Sequence, residues 1–265
     1  TAMRLVVTGR VQGVGFRPFV YRLALELGLC GHVRNTPEGV EIGVQGEQSA
    51  VQDFPHLLHS TLPPLAAISH IHTEQTPPRS EHSAFTIVQS APGQGHQVLI
   101  SPDIAICPDC SQEMHDPDNR RTWYPFTNCT NCGPRFTITH SIPYDRATTC
   151  MASFPMCSEC AREYADPANR RFHAQPNACP SCGPALWAAT RDGSCLARDQ
   201  EALHQAARSL AQGRILALKG LGGFHLACLA MHEQVVHRLR ERKARWGKPL
   251  AVMAPDLEAA ECLAH

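Results

Sequence analysis

The chain has 265 residues, 43% hydrophobic and 18% charged, with a formal net charge of zero. This is the composition of a soluble globular protein of one large domain or two to three small ones, not of a disordered or fibrous chain. Neutral charge argues against strong binding to nucleic acid, and no run of about 18 apolar residues offers a transmembrane helix.

The opening residues Thr1 to Gly9 lack the apolar core of a secretory signal, so the chain is expected in the cytoplasm. Leu5-Val6-Val7 reads as a short strand and Gly9 to Gly15 as a glycine-rich loop. A helix is predicted from about Phe16 to Leu27, because Phe16, Phe19, Val20, Leu23 and Leu27 share one face. Gly28 stands where a helix is closed by a glycine. Gly31 to Asn35 and Val40 to Val44 alternate on either side of a turn built on Pro37 and Gly39, the pattern of a hairpin. A second helix over about Ser49 to His59 and strands near Ile68 to Glu74 and Phe85 to Val88 follow. The order β-α-β-β-α-β predicts a ferredoxin-like domain over residues 1–91.

The loop Gly9-Arg-Val-Gln-Gly-Val-Gly-Phe-Arg17 joins this first strand to the first helix. Backbone N–H groups at a helix N-terminus make an anion site, and Arg17 in the first turn can grip the same anion in a bidentate contact. The spacing is neither that of a P-loop nor of a dinucleotide fingerprint. A plain glycine turn packing strand on helix has the same appearance.

Ala91 to Gly95 reads as a linker, and residues 103–185 hold most of the thirteen cysteines. In a reducing compartment these thiols are expected to bind metal. Cys107-x2-Cys110-x18-Cys129-x2-Cys132 recurs 50 residues later as Cys157-x2-Cys160-x18-Cys179-x2-Cys182. The filling recurs too: Asp116-Pro-Asp-Asn-Arg-Arg121 corresponds to Asp166-Pro-Ala-Asn-Arg-Arg171. The region is an internal duplication. Its spacing predicts two structural zinc ions, each closed by four thiolates, with Gly133 and Gly183 supplying permissive backbone after each second knuckle; sequential pairing is the simpler arrangement and exchange among the four knuckles the alternative. A redox disulfide or an iron–sulfur cluster fits the pattern less well. Cys30, Cys150, Cys195, Cys228 and Cys262 fit no ligand pattern and are expected as small buried residues, and His140 and His173 as groups that lie beside the metal sites or at the surface without binding metal.

Beyond Asp199 the pattern changes. A helix is predicted over Gln200 to Gln212, a buried strand at Ile215 to Leu218, a basic helix over about Glu233 to Arg245 and a strand at Leu250 to Met253. Two strands and two helices cannot cover a sheet on both faces, so residues 199–265 are expected to be part of a larger α/β domain.

The loop and its arginine resemble the acylphosphatase signature Gly-x-Val-Gln-Gly-Val-x-Phe-Arg, with an Asn closing the next strand. The resemblance implies hydrolysis of acyl phosphates without a metal. The amides of Gln12, Gly13, Val14, Gly15 and Phe16 and the guanidinium of Arg17 would hold the phosphate, and Asn35 would orient the attacking water. The combination of this unit with twin four-cysteine modules and Lys219-Gly-Leu-Gly-Gly-Phe-His-Leu226 resembles the first third of the HypF carbamoyltransferases of hydrogenase maturation. That resemblance implies a third, YrdC-like domain binding ATP, with Lys219, Lys243, Arg245 and Lys248 as candidate triphosphate contacts. A solvated basic helix face explains the same four residues. It further implies carbamoyl phosphate and ATP as substrates and the C-terminal cysteine of HypE as acceptor, with transfer not expected from these residues alone. A non-enzymatic zinc module that docks protein or nucleic acid is the competing reading.

Overall fold

The computed structural model describes residues 1–79, 83–91 and 100–263. It divides into two compact units, Thr1–Ala185 and Leu186–His265.

In the first unit, β1 (Ala2–Arg10), α1 (Phe16–Glu26), β2 (Cys30–Thr36), β3 (Gly39–Gln45), α2 (Gln48–Ser60), β4 (Ala67–Thr76) and β5 (Phe85–Ile87) follow the expected order. The strands form one sheet in the order β4-β1-β3-β2-β5. β1 is antiparallel to both β3 and β4, and β5 adds a short parallel edge to β2. Alternation decides which face is covered. Leu5 and Val7 of β1, Val33 of β2 and Ile42 of β3 are buried together with Phe16, Val20 and Leu23 of α1 and Val51, Phe54 and Leu58 of α2. α1 ends as its glycine requires. Gly28 takes φ 64°, its N–H donates to Leu25 O, and the N–H of Leu29 reaches Ala24 O, the paired bonds of a Schellman closure.

The cysteine region carries little periodicity, yet it contains two helices of eight residues, α3 (Pro108–His115) and α4 (Ser158–Ala165). Each starts one residue after the first cysteine of its knuckle, so the second thiol sits in the first helical turn. The repeat of sequence is a repeat of structure. Asn119 Oδ1 accepts from the Arg121 N–H and Asn169 Oδ1 from the Arg171 N–H, both at 2.9 Å. Trp123 and His173, 50 residues apart, both take a left-handed backbone. Of the two glycines, Gly133 has positive φ, whereas Gly183 is needed for room: a Cβ there would lie 2.2 Å from the Tyr124 hydroxyl. The expected linker at residues 91–95 lies, apart from Ala91, outside the described residues.

The second unit holds two separate hairpins, β6 (Trp187–Ala189) with β7 (Cys195–Arg198) and β8 (Leu216–Lys219) with β9 (Phe224–Ala227), and the helices α5 (Asp199–Ala211), α6 (Glu233–Lys243) and α7 (Leu257–Glu261). Three expectations are corrected. Leu250 to Met253 forms no strand; it pairs with no neighbour among the described residues, and Met253 is 96% exposed. The strand at 216–219 is largely exposed rather than buried, because its only described partner is β9 and no second layer covers Leu218. Cys195 and Cys262 are exposed thiols, not small core residues, and Cys30, Cys150 and Cys228 are half-buried.

Candidate functional site

The eight motif cysteines gather into two groups, Cys107–Cys110–Cys129–Cys132 and Cys157–Cys160–Cys179–Cys182, with the sulfur atoms of each within 4.8 Å of one another. The pairing is the sequential one. Measured edges are 3.7 Å for Cys107–Cys129, 3.8 Å for Cys129–Cys132, 3.8 Å for Cys157–Cys179 and 3.6 Å for Cys160–Cys182. A tetrahedron with Zn–S bonds of about 2.3 Å has edges of about 3.8 Å. Hydrogen bonds to Cys129 and Cys132 push the Cys110 thiol up, while those from Cys110 and Cys129 pull Cys132 down. A divalent cation satisfies all four at once. Both clusters therefore fit structural zinc, with no ligand position left for a substrate.

The paired arginines of each repeat serve the other repeat. Arg120 Nη2 lies 3.4 Å from the Cys160 sulfur, and Arg170 Nη2 lies 3.1 Å from that of Cys110. Arg121 donates to Ala178 O at 2.9 Å and to Glu163; Arg171 donates to Asn128 O at 3.0 Å and to Glu113. Each contact is its counterpart shifted by 50 residues with the partners exchanged, so the modules are related by an approximate two-fold axis. Burial opposes ionisation of Glu113, but the hydrogen bonds from Arg171 and Arg170 outweigh it and hold its carboxyl at about 2. Glu163 is held at about 2 in the same way by Arg121 and Arg120.

The glycine loop is left-handed at Gly13 and Gly15, the latter being the N-cap of α1. Left-handed residues in such a loop turn neighbouring N–H groups toward one concavity that suits an anion. Arg17, 8% exposed, and Asn35, 1% exposed, line the same pocket as the loop. β2 brings Asn35 there because Asn35 pairs with Val40 at the end of the β2–β3 hairpin.

The other wall of this pocket comes from the cysteine region, from its first module, the segment between the modules and the second repeat, which the sequence reading did not foresee. The Tyr144 carbonyl accepts from Asn35 Nδ2 at 3.0 Å and from Arg17 Nη2 at 3.4 Å. Asp145 Oδ1 is 2.6 Å from Arg17 Nη1, and its other oxygen accepts from the Ser90 hydroxyl. The Tyr144 N–H donates to Gln12 Oε1 at 2.8 Å, while Gln12 Nε2 donates to Thr36 O at 2.9 Å and Gly39 O at 2.8 Å. Arg135, almost fully buried, donates to Gly13 O and also to the Cys129, Thr130 and Cys132 carbonyls of the zinc knuckle. His173 from the second repeat lines the pocket as well; burial first, then the Arg17 charge, pushes its imidazole down to about 4. It is neutral at pH 7. His140 is exposed.

Lys219 ends β8 with its ammonium 5.5 Å from the Phe224 ring centroid. Lys243 ends α6, and Arg245 and Lys248 lie in the following loop, where Arg245 Nη2 donates to Pro249 O at 3.0 Å. No helix among the described residues is long and apolar enough to cross a membrane.

Family models match three stretches: Acylphosphatase over residues 3–87, HypF finger over 106–139 and 156–188, and Telomere recombination (Sua5, YciO and YrdC) over 208–265. Carbamoyltransferase HypF2 of Cupriavidus necator is 51% identical over 97% of this chain and 32% of its own length; carbamoyltransferase HypF of Synechocystis is 53% identical over 95% and 32%. The acylphosphatase of Bacillus pumilus is 43% identical over 31% of this chain and 91% of its own. The crystal structure of full-length HypF in its phosphate- and nucleotide-bound form superposes with a TM-score of 0.86 at 43% identity, covering 98% of this chain and 34% of that one. The crystal structure of T. kodakarensis HypF superposes with a TM-score of 0.87 at 45% identity, covering 100% of this chain and 33% of that one. With likeness running through all three regions, the chain belongs to the HypF carbamoyltransferase family and spans about a third of the length of the relatives it matches.

Proposed function

We propose that the loop, Arg17 and Asn35 form an acyl phosphate hydrolase site whose substrate is carbamoyl phosphate. The observation that carries this reading is their convergence on one pocket at the N-terminus of α1. The amides of Gln12 to Phe16 and the guanidinium of Arg17 hold the phosphoryl group and stabilise the charge that gathers on its oxygens. Asn35 orients a water for attack on phosphorus. The bond from phosphorus to the acyl oxygen breaks, carbamate leaves with the electron pair, and the water's proton passes to a phosphate oxygen.

In the longer family members this hydrolysis supplies carbamate to a second reaction. Carbamate and ATP give carbamoyl-adenylate and pyrophosphate at the YrdC-like region, where Lys219, Lys243, Arg245 and Lys248 are the proposed triphosphate contacts. The carbamoyl group then passes to the C-terminal cysteine of HypE, in the cytoplasm. The match of residues 208–265 and the nucleotide in the relative's structure support this assignment. Zinc, held by the eight cysteines, supplies rigidity to the fold. The bare zinc-module reading has no observation in its favour.

Phosphate release from carbamoyl phosphate tests the proposal. Arg17→Ala should lower kcat/KM by about a hundredfold or more, with zinc content unchanged. Equal turnover in both proteins would remove Arg17 from the chemistry.

A further inference from the structure

We infer that the segment between the two cysteine modules contributes Tyr144 and Asp145 as positioning residues of the acyl phosphate site, so that the sheet domain does not hold the site alone. The inference rests on the function proposed above for Arg17 and Asn35.

A carbonyl can only accept a hydrogen bond. The Tyr144 carbonyl, 3.0 Å from Asn35 Nδ2, therefore fixes the amide with its nitrogen toward this segment. Asn35 Oδ1 is left buried with no partner among the described residues. A buried acceptor without a partner is costly, and such atoms mark places where a water or ligand belongs. With its nitrogen taken, Asn35 offers that water an acceptor, which is the orientation needed to receive a proton from an attacking nucleophile.

Asp145 does the same for Arg17. Its carboxylate holds Nη1 at 2.6 Å. It is itself anchored by the Ser90 hydroxyl and, as cap of the turn at Arg146–Thr148, by the Thr148 backbone N–H. A carboxylate fixed from three sides is a mount for the guanidinium rather than a mobile competitor for it. Arg135 extends the support to the phosphate loop, tying Gly13 O to the carbonyls of the first zinc knuckle.

The test compares wild type, Asp145→Ala and Asp145→Asn as the full chain, with Arg17→Ala as reference. Asp145→Ala should lower kcat for carbamoyl phosphate by about ten- to a hundredfold, with KM and competitive inhibition by inorganic phosphate changed less than about threefold. Asp145→Asn, which keeps an acceptor oxygen for Nη1, should recover most of the loss. An unchanged or higher kcat in Asp145→Ala, with tighter phosphate inhibition, would overturn the inference and make Asp145 a competitor for the phosphate. Guanidinium NMR of Arg17, assigned by its absence in Arg17→Ala, gives a readout independent of turnover. Restricted rotation in wild type, lost in Asp145→Ala and retained in Asp145→Asn, supports positioning; identical spectra in all three refute it. If wild type and Arg17→Ala hydrolyse equally, the functional reading fails, while the NMR comparison still decides whether Asp145 holds Arg17.

Discussion

Gln12 illustrates how much of the site depends on single side chains. Its carboxamide is 2% exposed and joins the phosphate loop to the β2–β3 turn and to Tyr144. Gln12→Ala strands one buried and one half-buried carbonyl and one buried N–H. At about 1–3 kcal/mol for each buried unsatisfied group, after partial relaxation, we expect a loss of about 3 kcal/mol. A urea titration of wild type and variant measures it; a shift below about 0.5 kcal/mol would show that water replaces the amide. The loop and Arg17 were legible in the sequence because they sit on one short strand–loop–helix motif, whereas Asn35, on β2, came only from the family resemblance. Tyr144, Asp145, Arg135 and His173 were not legible. They reach the pocket from 100 residues or more away, and neither periodicity nor spacing encodes such a meeting. The one local sign was the Asp145–Thr148 spacing, a capping pair that fixes the turn but says nothing of what it faces.

Among the elements, α1, α2, β1 and β2 were readable because each buries one face at its own period, whereas β4 buries no residue fully and β3 has four buried residues in a row. α3 and α4 were hidden: eight residues with one buried thiol apiece leave no apolar stripe to detect. What holds them is the exchange of arginines between repeats. Arg170→Ala should therefore weaken metal retention at the first cluster, Cys107 to Cys132, more than at the second, although Arg170 belongs to the second repeat. A chelator competition that follows zinc release from each site checks this; faster loss from the second cluster would refute it. The carboxylates of α3 and α4 also set a pH response. Their folded values, about 2, lie below the unfolded value of about 4.3. Their stabilisation is thus complete above about pH 5 and is lost as pH falls toward 2. The stability difference between wild type and Glu113→Gln should shrink over that window. A difference constant from pH 6 to pH 3 would show that the ion pair contributes nothing.

Across the first unit, the zinc modules and the sheet domain are one mechanical object. Arg135 spans from the Cys129–Cys132 knuckle to the loop, and Asp145, in the segment between the two modules, pairs with Arg17. On the proposed function, removing zinc with a chelator should abolish hydrolysis of carbamoyl phosphate although none of the eight cysteines lines the pocket, and adding zinc back should restore it. Hydrolysis that survives with zinc fully removed would show that the sheet domain keeps its site unaided. The sequence divided residues 1–91 from 103–185, whereas the structure places both within Thr1–Ala185. A cysteine count marks where a metal module begins but not what it leans on.

The reciprocity of the two repeats has a consequence for ancestry. A contact set that maps onto itself under a shift of 50 residues is what a symmetric dimer interface becomes once its subunits are spliced into one polypeptide. The duplication then had a ready-made partner for each copy, and neither half needed to invent a new surface. The fused pair could afterwards lose its symmetry on the side that faces the sheet domain. On that side His173 lines the pocket, while its counterpart Trp123 in the other copy remains at the surface, 44% exposed.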